Sequence, residues 1–216
     1  TFNKEKFLNT SYFLSFLILC SIVILLINQP DLGQSILLIS TWITIIFISG
    51  ISIFYILSFF GFSLVAITAL LIIFSEKFGY ILNRLKTFVD PSKGDNFQSQ
   101  KALDAIKVGG LKGQGMGEGI LKDSVPEAHT DYIIAIISEE YGSIISILLI
   151  SIFLYIVFRI IKITISENDS SLKLSLCGLS TLLIFQTFIH IGVNTSLLPT
   201  TGMTLPFLSY GGSSLI

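Results

Sequence analysis

The sequence predicts an all-α integral membrane protein: a polytopic helical bundle interrupted by one long polar loop. Composition is the first reason. The 216 residues are 52% hydrophobic and 12% charged, about half the charged share of a typical soluble domain. The second is an uncharged stretch: from Phe7 to Ser75 the only formally charged side chain is Asp31. The third is run length. A membrane span must satisfy its backbone hydrogen bonds internally, and these apolar runs are long and do not alternate, so they read as helices.

The first span is expected at 11–28 and ends at the turn signal Gln29-Pro30-Asp31-Leu32-Gly33. It lacks a charged leader and a small-residue cleavage site, so it reads as a span and not as a signal peptide. A second span is expected at 34–50 and a third at 53–74, with only a tight connection between them. The fourth is expected at 131–158, the fifth at 173–194, and a sixth starts near Pro206 and is incomplete at Ile216. The chain opens at Thr1 without methionine and stops inside apolar sequence, so it reads as a fragment of a longer protein.

The loop at 76–131 holds eight Lys/Arg and eight Asp/Glu. Loops this long are uncommon unless functional. Two stretches inside it, 78–89 and 98–108, carry apolar residues at helical spacing and are expected to lie in the membrane interface. Orientation follows from short loops: Lys4, Lys6, Arg159, Lys162 and Lys173 fall on one side, which should be cytoplasmic. Asp31, the long loop, Asp131 and the 198–214 segment would then share the outer face. The net charge of −1 argues against a nucleic-acid partner. Cys20 and Cys177 are isolated in apolar runs and suggest packing, not a disulfide or a metal site.

The residues that could carry chemistry are few. Val125-Pro126-Glu127-Ala128-His129-Thr130-Asp131 places charge where a loop enters apolar sequence. Carboxylates there are partly desolvated, which suits a general base; equally, Thr130 or Asp131 could cap the following helix. Asp31 has the same two readings at the head of the second span. Residues 109–119 include six glycines. They could cradle phosphate with Lys112 and Lys122 as counter-charges, or form a plain flexible loop. Glu139 and Glu140 lie about two turns beyond Asp131 and read as flanking the site. His190 reads as a packing histidine, and His129 has no decided role. Two histidines so far apart make no zinc site.

Four of these motifs together resemble the SEDS family (FtsW, RodA, SpoVE). They are Gln29–Gly33, the glycine loop, Pro126–Asp131 with Glu139-Glu140-Tyr141-Gly142, and Leu198-Pro199-Thr200-Thr201-Gly202-Met203-Thr204-Leu205-Pro206 through Ser209-Tyr210-Gly211-Gly212-Ser213-Ser214. Glu127-Ala128-His129-Thr130-Asp131 and Thr201–Pro206 are more similar to the FtsW branch. The resemblance implies ten helices in the full-length protein, with helices five to nine and the start of ten here, and an extracytoplasmic long loop. It implies polymerisation of lipid II into β-1,4 glycan strands during cell division, at the bacterial inner membrane and its division septum. A lipid II flippase or a RodA-type elongation polymerase are the alternatives.

On this resemblance Asp131 matches the essential acidic residue and is the expected catalytic base. Asp31, Lys112, Glu127, His129, Thr130 and Ser209 are the expected substrate-binding residues. The leaving pyrophosphate calls for a cation, either lysines of the glycine loop or a divalent ion such as Mg or Mn. The implied partner is a class B penicillin-binding protein, FtsI-like, with other divisome proteins. The absent helices contribute to the family's site, so this fragment alone is expected to be inactive.

Overall fold

Apolar runs continue as helices until a proline, a glycine or a cap stops them, and this chain follows that rule with one large exception. The computed structural model describes residues 2–52, 54, 57, 58, 61, 79–89, 97–121 and 124–210. Six helices have both ends among them: α1 (Phe2–Asn28), α2 (Leu32–Ile48), α3 (Gly79–Val89), α4 (Phe97–Gly109), α5 (Ile133–Ser166) and α6 (Ser170–Asn194). No strand occurs among the described residues. The third span expected at 53–74 lies mostly outside them.

Residues 11–28 of α1, together with α5 and α6, are long and apolar enough to cross a membrane. At 17 residues, α2 is about 26 Å long and sits at the lower limit for a span. Lipid would face α1 and α5, where Phe13, Leu17, Leu25, Ile147, Leu154 and Phe158 are exposed. Between helices the packing uses small residues, as expected where hydrophobic burial gives no preference over lipid. Ile45 of α2 sits directly over Gly178 of α6. Trp42 of α2 packs on Phe16 of α1, with ring centroids 5.8 Å apart, and its Nε1 donates to Ser15.

The exception is α5. Its 34 residues are broken at Gly142, which has φ 85° and ψ 168°. The fourth span therefore differs from the expected 131–158: a short helix precedes Gly142 and the long apolar one follows it. The glycine loop fills the break. Gln114 and Gly115 N–H donate to the Glu139 and Glu140 carbonyls, and Ser143 N–H donates to the Gly110 carbonyl. These bonds satisfy groups that a helix break would leave unpaired inside the bundle. The loop is thus not loose, and the Gln114 and Gly115 N–H groups are spent on α5. Nor does Glu139 flank the site; it is fully buried and its Oε1 accepts from Leu121 N–H.

The amphipathic stretches are helical, and α4 packs into the bundle: Ala102 and Ala105 are wholly buried against α5 and α6. One further expectation changes. The sixth span does not begin at Pro206, since residues 206–210 form turns; 211–216 lie outside the described residues. One hydrophobic cluster, including Leu37, Ala102, Ala135, Tyr132, Val193 and Met203, joins α2, α4, α5, α6 and the 203 segment. It forms the floor under the polar turn at 127–131.

Candidate active site

The turn ahead of α5 is shaped by alternate burial. Val125, Ala128 and Tyr132 drop into the cluster, while Glu127 and His129 stay exposed and Thr130 and Asp131 are half-buried. Glu127 adopts φ 56°, a left-handed conformation uncommon outside glycine and often found at functional sites. Its carbonyl accepts from the N–H groups of Thr130, Asp131 and Tyr132, and its Oε2 accepts from Thr130 Oγ1 at 2.8 Å.

A second segment, 200–210, lies across this turn. Tyr210 N–H donates to the His129 carbonyl. Ser209 Oγ donates to the Thr130 carbonyl at 2.6 Å and accepts from Leu205 N–H. Gly202 faces Asp131: a Cβ added there would stand 3.8 Å from Oδ2. Gly33 allows the same segment to seat on α2, because a side chain there would overlap Met203. That contact brings the head of α2, capped by Asp31 Oδ1 on Gln34 N–H, up to the turn.

Asp131 therefore sits in a partly sealed acidic pocket. Its pKa is raised from 3.8 to about 6, first by burial and then by the Glu127 charge, with Arg84 opposing and Asp31 adding a smaller push upward. Burial also raises the Tyr132 phenol, with the Ser99 side chain beside it pulling the other way. Arg84 of α3 donates through Nη1 to the Thr200 carbonyl at 3.3 Å, which fixes the guanidinium near the site. A cavity of about 470 Å³ opens on the other side of Arg84, between α3, α4 and the segment after α6.

Asp131 does not cap α5. The N-cap is Tyr132, which makes no side-chain cap bond. Asn194, fully buried at the end of α6, takes over that role. Its Oδ1 accepts from Ala135 N–H, and its Nδ2 donates to the Asp131 carbonyl at 2.8 Å and to the His190 carbonyl. His190 is wholly buried beside it, in keeping with a packing histidine.

The structure thus gathers Asp31, Glu127, Asp131, Thr130 and Ser209 at one end of the bundle, with the His129 backbone tied in. Lys112 is exposed on the glycine loop, whose neighbours are bonded to α5 some two turns beyond Asp131. Arg84 and Asn194 are site residues that sequence reading did not assign. A buried amide ending an apolar helix was the one signal for Asn194. No group of three or more His, Cys, Asp or Glu side chains among the described residues converges as a metal site.

The family model of the FtsW/RodA/SpoVE cell cycle proteins matches residues 2–216. The chain belongs to that family. Among relatives, a probable peptidoglycan glycosyltransferase FtsW of Caulobacter vibrioides is 37% identical over 203 residues, covering 94% of this chain and 51% of that protein. One from Francisella salina is 38% identical over 202 residues, covering 90% and 49%. The chain thus spans about half the length of these FtsW relatives. Solved structures agree in fold. A chain described under the structural coordination of polymerisation and crosslinking by a peptidoglycan synthase complex superposes with TM-score 0.75 at 26% identity, covering 94% of this chain and 57% of its own. A mutant of the rod shape determining protein RodA of Thermus thermophilus gives 0.60 at 25%, covering 94% and 51%.

Proposed function

We propose that the full-length protein is an FtsW-type peptidoglycan glycosyltransferase that polymerises lipid II into β-1,4 glycan strands during cell division. One observation carries the reading: a half-buried carboxylate at Asp131, raised to about 6 and crowded by Glu127 and Asp31. Such a group is ionised at neutral pH yet basic enough to accept a proton. Asp131 takes the proton of the acceptor GlcNAc 4-hydroxyl as that oxygen attacks the anomeric carbon of the donor. The C–O bond to the lipid pyrophosphate breaks with inversion, from the α-linked donor to the β linkage. Among the described residues Arg84 is the cation whose charge acts on Asp131.

The helix directions support an extracytoplasmic site. Asp31 follows α1 and precedes α2, while Asp131 precedes α5 and meets the end of α6. Residues 4 and 6, Arg159, Lys162 and Lys173 belong to the opposite ends of those helices, where positive charge favours the cytoplasm. A class B penicillin-binding protein is the proposed partner.

The test is Asp131→Asn in the full-length protein with its partner, assayed on labelled lipid II. Removing a general base should lower the polymerisation rate by about 10²–10⁴-fold. Near-normal glycan product would sink the assignment.

A further inference from the structure

The acidic turn is gripped at three successive carbonyls, each by a donor from elsewhere in the chain. Tyr210 N–H donates to the His129 carbonyl at 2.9 Å, Ser209 Oγ to Thr130 at 2.6 Å and Asn194 Nδ2 to Asp131 at 2.8 Å. The middle grip, from a hydroxyl, is the shortest.

These bonds act on Asp131 through two peptide planes. A peptide unit is rigid, so a bond at each of its ends fixes its orientation. The plane before the Asp131 Cα has its N–H on the Glu127 carbonyl and its carbonyl, that of Thr130, on Ser209. The plane after it has the Tyr132 N–H on Glu127 and the Asp131 carbonyl on Asn194. Pinning both planes sets φ and ψ at Asp131 and leaves the carboxylate only its side-chain torsions. Ser209 and Asn194 are the two side chains in that set of four bonds.

Ser209 is itself held so that it works as a fixed donor. It is 4% exposed. A serine hydroxyl has one hydrogen and rotates to suit its neighbours. Leu205 N–H donates to Oγ at 2.8 Å, which directs the hydrogen toward Thr130. Ser209 N–H donates back to the Leu205 carbonyl, so residues 205–209 close on themselves. That small turn is anchored on α5: Leu205 is buried with Ile134 and Phe153, and Phe207 stacks on Phe153 with centroids 6.5 Å apart. Phe207 adopts φ 65°, an outlier for a bulky side chain that persists where the surroundings over-determine it. Gln186 Nε2 of α6 donates to the Thr204 carbonyl and ties the approach to the turn.

We propose that Ser209 is a positioning residue for Asp131: through the Thr130 carbonyl it fixes the peptide plane from which the carboxylate projects. The proposal rests on the reading of Asp131 as the base. It gives Ser209 a role exerted through Asp131, in place of the substrate contact expected from sequence.

The experiment uses the full-length protein with its partner in lipid nanodiscs, on labelled lipid II. Misplacing a catalytic group by about 1 Å costs roughly a hundredfold in rate, so Ser209→Ala should lower kcat about ten- to hundredfold with KM within about twofold. In an Asp131→Asn background the same change should cost less than about twofold, because residues acting as a unit are not additive. Infrared titration of the Asp131 carboxyl, taken as the difference between each protein and its Asp131→Asn counterpart, gives a readout independent of turnover. Its midpoint should fall in Ser209→Ala from about 6 toward 3.8, as the loosened turn admits water.

A raised KM at constant kcat overturns the proposal in favour of substrate binding. So does a loss in the Asp131→Asn background as large as in wild type. A lowered melting temperature with an unmoved carboxyl titration also overturns it and leaves Ser209 a plain structural residue. If Asp131→Asn polymerises normally while Ser209→Ala still shifts the carboxyl titration, the positioning stands and the base reading falls.

Discussion

Two stretches of irregular backbone meet α5, and they are built for opposite ends. At Gly142 the glycine loop exchanges backbone hydrogen bonds with the break and buries Glu139 under it. A Cβ on Gly109, Gly113 or Gly142 would overlap a carbonyl oxygen of the facing segment. At the head of α5 the 127–131 turn does the reverse: it keeps Glu127 left-handed and Asp131 half-sealed among like charges. Glycines here report close backbone approach. Charge in a half-buried turn is the basis of the proposed chemistry. The first region should answer to substitution in stability, the second in rate.

The sharpest way to break that contrast is Gly142→Ala. Its φ and ψ fall in a region essentially reserved for glycine, worth about 1–3 kcal/mol of strain. The new methyl would also overlap the Leu111 carbonyl, which cannot move without undocking the loop. We expect a loss of more than about 3 kcal/mol, the sum of that strain and displaced backbone bonds. Thermal unfolding in detergent reads it, together with faster amide exchange at residues 110–115. Unchanged exchange there would mean the loop does not depend on this glycine.

Asn194→Leu comes next and joins the two regions. The substitution preserves bulk but strips the Asp131 carbonyl of its Asn194 partner and leaves Ala135 N–H with its bond to the Tyr132 carbonyl alone. One orphaned group costs about 1–3 kcal/mol, and a loss of about that size is expected. Freed backbone at Asp131 should also let water in, moving the acid limb of the rate profile to lower pH. A variant that loses stability but keeps its pH profile would make Asn194 a structural clasp only.

What the sequence made legible depended on distance along the chain. The long apolar helices were readable because burial in lipid is a property of each run by itself. Asp31 was readable as a cap because its partner, Gln34, is three residues away. The same reasoning failed for Asp131, whose helix is capped by Asn194 from another helix. The break at Gly142 was hidden because one glycine leaves no period, and its bonding partners sit about 30 residues upstream. Arg84 read only as the polar side of an amphipathic helix; its tie to Thr200 spans 116 positions. Motif order pointed to the acidic turn, yet only tertiary packing brought Arg84 and the cavity to it.

The smallest effect is the most discriminating, because it has two signs at one residue. Asp131 holds its proton more tightly when folded, near 6 against an ordinary 3.8. Its contribution to stability is therefore greatest below about pH 4 and is lost as pH rises through about 6. For a sealed group that rise would be worth ~3 kcal/mol; solvent screening at a half-exposed carboxylate reduces it to about 1 kcal/mol. Asp131→Asn, neutral and nearly isosteric, should thus stabilise the protein by about 1 kcal/mol at pH 7.5 and by nothing at pH 4. Wild-type polymerisation should run the other way and fall below about pH 6, as the protonated carboxyl stops accepting. Melting curves of both proteins across this range, set against the rate profile, carry the test. A variant no more stable than wild type at pH 7.5 would mean the carboxylate is not held under strain, and the contrast between the two regions of α5 would lose its physical basis.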